Sequence, residues 1–221
     1  MSKRTMISWS TGKDSAWAYY QISKQAEYNV VGLFCTVNKK YARTAMHAVR
    51  IELLKAQADS IGLPLDIIEI PYPCTNQEYE VIMQEFIDGI KTRDITCFVF
   101  GDLFLEDIRN YRLEKLKDTG IESVFPLWGI PTDKLAQEMI AGGLKAVVTC
   151  IDPKQISESY AGQIFDNNFI ESLPATTDPC GENGEFHSFV FEGPMFSNSI
   201  DIVVGEKVKR DGFVFADVTL T

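Results

Sequence analysis

Near the start of the chain six residues, Ser10-Thr11-Gly12-Lys13-Asp14-Ser15, follow a short apolar run and precede a stretch of helical periodicity. A strand, a turn containing hydroxyls and glycine, and a helix start bring several backbone N–H groups to one place, which makes an anion site. Lys13 adds a mobile positive charge and Ser10 and Ser15 add hydroxyl donors. Gly12 lets the backbone approach a phosphate oxygen closely or adopt positive φ. Asp14 repels a phosphate unless a divalent cation lies between them, so it points either to magnesium or to a helix cap. The common P-loop fails here, because Ile7 stands where that motif has its first glycine and Asp14 where it has Ser or Thr. A different phosphate loop is implied, with an ordinary strand-to-helix turn as the bland alternative.

Other residues of chemical interest fall later. Gly101-Asp102 ends a strand, and Arg109 and Arg112 are spaced to share the face of the helix that follows, where Glu106 can pair with Arg109 instead. Trp128 sits in Phe125-Pro126-Leu127-Trp128-Gly129, which by itself reads as a buried turn. Gly181, Glu182, Glu185 and His187 lie in Asp178-Pro179-Cys180-Gly181-Glu182-Asn183-Gly184-Glu185-Phe186-His187, a tract suited to wrapping a polar ligand or to forming a solvated acidic hairpin. His187 shares an alternating face with Phe189 and Phe191, so a hydrogen-bonded histidine at the core edge competes with a ligand-binding one. No neighbour in sequence lowers the pKa of Cys180, which reads as a packed thiol.

These residues need a scaffold. At 221 residues and 45% hydrophobic, the chain can bury a substantial core. Its net charge of −10, from 31 acidic against 21 basic residues, disfavours long nucleic acid as a partner. No run is long and apolar enough for a membrane span, and the start does not read as a signal peptide, so a cytoplasmic protein is expected. Five scattered cysteines form no close pair for zinc or dithiol chemistry.

Short β-branched and aromatic runs alternate with helical periodicity, which predicts an α/β fold with a mostly parallel, Rossmann-like sheet covered by helices. Strands are expected at residues 5–9, 29–37, 65–70, 94–100 and 121–125, with helices from 14 onward and at 42–61, 75–91 and 106–118. Beyond Trp128 the pattern weakens: a helix at 132–141, a strand at 144–150, an unpatterned stretch at 157–173, then strands at 186–191, 200–204 and 213–218. The expected division is a phosphate-loop unit over residues 1–130 and a smaller α+β unit over 131–221 for the substrate. Chemistry in open parallel sheets collects beyond the carboxyl ends of strands, which brings together residues 10–15, Asn38-Lys39-Lys40, Gly101-Asp102 and Asp152.

Residues 10–15 resemble the SGGxDS pyrophosphate loop of the N-type ATP pyrophosphatases, with Thr11 in place of the usual first glycine. Positive φ at that position would strain a β-branched residue. The tracts at 125–129 and 178–187 are similar to hallmarks of the diphthine–ammonia ligase family, and the resemblance spans nearly the whole chain. It implies a ligase that uses ATP and Mg2+ to adenylate the diphthine carboxylate on elongation factor 2, after which ammonia displaces AMP to form an amide.

Placement and resemblance together assign ATP binding to Ser10, Thr11, Gly12, Lys13, Asp14 and Ser15, and metal binding to Asp14. Catalysis falls to Lys13, Asp14 and Asp102, and substrate binding to Arg109, Arg112, Trp128, Gly181, Glu182, Glu185 and His187. The expected partners are a carboxylate on a small molecule or a modified protein side chain, and ammonia or an amine; a homodimer is an open option. Family members carry a Tyr-Gln-Arg-like basic tract where this chain has Glu106-Asp107 ahead of Arg109, so the acceptor stays open. The alternatives are a non-catalytic ATP-binding sensor and a tRNA-modifying ATP pyrophosphatase, the latter disfavoured by the acidic charge and dispersed cysteines.

Overall fold

A computed structural model describes residues 2–44 and 48–221. The first half is a parallel sheet built from β1 (Lys3–Ser8), β2 (Tyr28–Asn38), β4 (Leu65–Ile70), β5 (Cys97–Val99) and β6 (Glu122–Val124). A two-residue strand, β3 (Arg43–Thr44), pairs antiparallel with the end of β2. Helices α1 (Lys13–Ser23), α2 (Ile51–Ile61), α3 (Asn76–Lys91) and α4 (Glu106–Leu116) connect the strands. β2 pairs with β1 along one edge and with β4 along the other, and β1 pairs in turn with β5, and β5 with β6. The parallel order is therefore β4-β2-β1-β5-β6, a doubly wound arrangement whose direction of winding reverses between β1 and β5. The carboxyl ends of those two strands bound the crevice.

The second half adds α5 (Thr132–Ala141), β7 (Lys145–Ile151), a single 3-10 turn (Glu158–Tyr160), α6 (Asn167–Ser172), β8 (Phe186–Glu192), β9 (Ile202–Arg210) and β10 (Phe213–Leu220). Its four strands form an antiparallel sheet in the order β8-β7-β10-β9. This is the mostly parallel sheet with an antiparallel C-terminal region expected of the sequence. One continuous apolar core joins the two sheets, with Ile7, Trp17 and Leu33 packed in the same cluster as Ala146, Val148, Phe186 and Val214. Among the described residues no helix is long and apolar enough to cross a membrane.

Local chemistry explains most element boundaries. α3 opens with a capping box, in which the Thr75 hydroxyl accepts from the Glu78 amide and the Glu78 carboxylate accepts from the Thr75 amide. α2 ends where Gly62 turns left-handed at φ 78°. The Asp211-Gly212 pair takes positive φ at both residues, the geometry of a tight hairpin turn between β9 and β10.

Three expectations fail. The helix read over 42–61 begins only at Ile51: the backbone is left-handed at Ala42 and Ala48, and Arg43–Thr44 pairs with β2. Residues 45–47 of that reading lie outside the described residues. Pairing with an open strand edge outweighs helical periodicity there. β9 runs on to Arg210 rather than stopping at 204, because an edge strand exposed on both faces carries no alternating pattern. The unpatterned stretch at 157–173 holds the 3-10 turn and α6, whose Asp166 cap accepts from the Phe169 amide.

One polar side chain sits at the junction of these layers. Gln57 of α2 is fully buried; its carbonyl accepts from the Trp9 indole N–H at 2.8 Å, and its amide donates to the Val190 carbonyl at 2.6 Å and the Thr11 carbonyl at 3.0 Å. Replacing it with a shape-matched apolar group strands an indole donor in the core. Gln57→Leu is expected to lower the unfolding free energy by about 3 kcal/mol, read as a shifted midpoint in urea melts. A loss under about 0.5 kcal/mol would show the hub to be dispensable.

Candidate functional site

The loop at 10–15 leaves the carboxyl end of β1 and opens α1, with Gly12 at the helix cap. The Ser10 and Ser15 hydroxyls lie 3.0 Å apart, the Ser10 amide donates to the Ser15 hydroxyl and the Gly12 amide to the Ser10 hydroxyl. Gly101, beyond β5, presses against the start of α1: a Cβ there would lie 2.8 Å from the Asp14 carbonyl carbon and the Ser15 nitrogen. Only a glycine lets the two strand ends close up at the reversal point.

Thr11 has φ 72°, so it occupies the left-handed region that a β-branched residue resists. Its side chain is fully buried and the hydroxyl has no hydrogen-bond partner among the described residues. Two donors hold the peptide in place, since the Thr11 carbonyl accepts from Gln57 and from the Val190 amide of β8 at 3.1 Å. A buried hydroxyl without a partner adds to the cost of the strained turn.

Lys13 departs from its expected role as a mobile charge. It is 2% exposed, and its ammonium donates to both Asp14 carboxylate oxygens, at 3.0 and 2.8 Å, and to the Cys180 carbonyl. The rings of Phe165 and Phe186 flank it at 5.7 and 5.4 Å. The side chain therefore ties the loop to the tract at 178–187. The reason is local: with Asp14 adjacent and a carbonyl and two ring faces aimed at it, the interior solvates the ammonium.

The tract at 178–187 is a tight turn rather than a solvated hairpin. Gly181 has φ 70°, and a Cβ there would lie 2.8 Å from the Phe186 carbonyl oxygen. Glu185, 2% exposed, accepts from the Asp178 amide at 2.9 Å and the Asn183 side chain at 3.2 Å, so one of its oxygens closes the turn while the other is buried without a partner. Glu182 reaches across to accept from the Leu103 amide at 2.8 Å, and the Leu103 carbonyl accepts from Gly129. Leu103 thus joins the β5 loop, the 125–129 turn and the 178–187 tract. Burial pushes the Glu182 carboxyl up to about 7 against the lowering effect of the Leu103 amide, with Asp14 and Asp102 raising it further. Burial also pushes the Cys180 thiol up, which leaves it an inert packed group.

Asp102 and Arg112 pair with each other in a bidentate contact at 2.6 and 3.0 Å, with the guanidinium over the Phe100 ring. Arg109 is stacked instead on Trp128 at 4.6 Å and Phe125 at 5.5 Å; it makes no ion pair with Glu106 among the described residues, and its buried Nε has no partner. Asp152 does not join the group, because its carboxylate closes its own turn onto Lys154 and Gln155 in the second sheet. A cavity of about 600 Å³ opens beside Ser10 between α3 and α4, walled by Phe34, Phe98, Phe100, Met83 and Ile87, and His187 lines its far side. That volume suits a small-molecule ligand, for which sites of roughly 300–1,000 Å³ are usual.

Sequence reasoning missed Gln57 and Leu103. The signal for Gln57 was present as a lone amide at a helix position flanked by buried Leu53, Leu54 and Ala58. Leu103 acts only through its backbone and leaves no trace in residue type.

Residues 3–123 match the family model described as the diphthamide synthase N-terminal domain, and residues 131–218 match that of the diphthamide synthase C-terminal domain. The chain belongs to the diphthamide synthase family. Similar proteins are the diphthine–ammonia ligases of Rattus norvegicus and Homo sapiens, each 24% identical over 163 residues. Those alignments cover 71% of this chain and 61% of either relative, so the match spans less than two thirds of their length. The Bos taurus protein of the same name is 24% identical over 236 residues, covering 95% of this chain and 86% of its own.

Two outcomes test this site. Thr11→Gly removes the left-handed strain and the orphan hydroxyl at the cost of one buried methyl, and is expected to raise the unfolding free energy by about 1 kcal/mol; a destabilised variant would show that the turn is relaxed. The second concerns Glu182. Its folded pKa of about 7 lies above its ordinary 4.5, so the folded protein holds a proton that the unfolded chain releases, and stability falls as pH rises through that window. Glu182→Gln keeps the acceptor for Leu103 and removes the titration. Allowing for partial exposure of the side chain, its stability relative to the parent is expected to rise by about 1–2 kcal/mol between pH 5 and 7.5. A flat difference across that range would sink the assignment.

Proposed function

We propose that this chain is an ATP-dependent ligase that adenylates a carboxylate, releases pyrophosphate and forms an amide, with residues 1–130 holding the nucleotide and residues 131–221 contributing to the substrate side. The observation that carries the reading is the continuity of the Ser10–Ser15 hydroxyl pair with the aromatic cavity at the reversal point of the sheet. Such an arrangement offers one ligand both an anion cradle and an apolar pocket for a base.

In this reading the acceptor carboxylate oxygen attacks the α-phosphorus, the bond to the bridging oxygen of the β-phosphate breaks, and pyrophosphate leaves into the loop. The amides that open α1 and the Ser10 and Ser15 hydroxyls stabilise the leaving charge. Lys13 acts as a buried strut that counters the upward push of burial on the Asp14 carboxyl rather than as a direct phosphate ligand. Asp14 is the proposed magnesium-facing group: its carboxylate would supply a hard oxygen donor of the kind magnesium prefers. When bound, the metal offsets repulsion between the carboxylate and the triphosphate. Asp102 orients Arg112 at the cavity rim, while Arg109 on its Trp128 platform presents a cation to an anionic substrate. Glu182, titrating near neutrality, accepts a proton from ammonium, and the freed ammonia attacks the acyl carbon and expels AMP.

The names of the relatives favour diphthine as the acceptor and ammonia as the nitrogen donor. The expected result is that ATP, magnesium, ammonium and diphthine-bearing elongation factor 2 yield AMP and pyrophosphate in equal amounts, each dependent on the acceptor. Release of ADP, or ATP left intact with every carboxylate supplied, would overturn the ligase reading, and the second result would favour a sensor.

A further inference from the structure

A second cavity of about 250 Å³ opens at the carboxyl end of β2, bounded by Asn38, Tyr41, Tyr72, Arg210, Phe213 and Phe215. His187 lines this cavity and the aromatic one. A ligand seated in the second cavity therefore lies one side chain from the first.

Its charge runs against that of the whole protein. In a chain of net charge −10, Lys40, Arg43, Arg50 and Arg210 gather here against Glu206, Asp211 and Asp217. The Asp217 carboxylate is fully used, accepting from Arg43 at 2.9 Å and from Arg50 at 3.1 and 2.7 Å. Among the described residues Arg210 reaches only Asp211, at 3.8 Å, which is beyond hydrogen-bond distance. Its guanidinium rests on the rings of Tyr41 and Phe215, at 5.0 and 4.9 Å. The Lys40 ammonium lies 5.3 Å from both Tyr41 and Tyr72. Because cations already cover these ring faces, the cavity rejects a cationic group and accepts an anionic one. A guanidinium with an unfilled fork matches a carboxylate.

The position of Arg210 does not depend on a ligand. It pairs with Phe213 across the Asp211-Gly212 turn, so the hairpin fixes its backbone before anything binds.

We propose that this cavity is the acceptor subsite, in which Arg210 holds an anionic side chain of the acceptor protein, distinct from the carboxylate that reacts, while the reacting end passes His187 toward the nucleotide. The identity of the ligand as an acceptor rests on the ligase reading; the anion site stands apart from it.

The test uses Arg210→Gln with Arg210→Lys as the conservative partner. With diphthine-bearing elongation factor 2 as probe, the KM for acceptor is expected to rise at least about 10-fold in Arg210→Gln and less in Arg210→Lys, as loss of a charged hydrogen bond requires. The KM for ATP stays within about twofold. An unchanged acceptor KM in a folded, ATP-binding Arg210→Gln protein overturns the proposal. If the parent protein releases no AMP with this acceptor, the ligase reading fails and succinate decides the anion site. Saturable amide shifts at Tyr41, Phe213 and Phe215 in the parent, lost in Arg210→Gln, support it; no shifts in the parent, or shifts that persist in the variant, overturn it.

Discussion

The Thr11 carbonyl is held by two donors from different parts of the chain, the Gln57 amide of α2 and the Val190 amide of β8. Those bonds keep a β-branched residue at φ 72°, a conformation that costs of order 1–3 kcal/mol and persists only when its surroundings over-determine it. The left-handed turn in its place lets Gly12 cap α1 and leaves the Ser10 and Ser15 hydroxyls side by side. The same constraint docks the second sheet onto the first, since Gln57 and Val190 meet at one peptide.

A buried ammonium reinforces that junction. Taking Lys13 out of water is costly, and only a carboxylate, a carbonyl and two ring faces together offset the loss. Three of these partners, the Cys180 carbonyl and the rings of Phe165 and Phe186, come from the second half of the chain. The loop and the 178–187 tract are thus coupled electrostatically as well as sterically. That coupling buries Glu182 beside Asp14 and Asp102, and the burial, more than those charges, pushes its carboxyl up to about 7.

The loop at 10–15, the parallel sheet and most helices are legible from periodicity, glycine placement and caps, because these are local properties of a few consecutive residues. The start of α2 is not. Arg43 and Arg50 are drawn to Asp217, 174 and 167 residues away, and strand pairing at β2 displaces the helix that the local pattern favours. Of the proposed site residues, Gly181 and Glu182 owe their legibility to turn chemistry and resemblance. The mutual pairing of Asp102 with Arg112, and the stacking of Arg109 on Trp128, depend on how a helix rotates against a turn.

The chain by itself determined a strand-to-helix turn that gathers amides, hydroxyls and glycine at residues 10–15, and it determined a mostly parallel sheet to carry that loop. It also marked Thr11 as the residue under strain. Only the tertiary structure decided where each charge went: Lys13 inward to Cys180, Asp102 to Arg112, Arg210 to two rings. The physical reason is that a long charged side chain has many rotamers and several partners within reach. Desolvation by distant segments, which no local sequence encodes, selects among them.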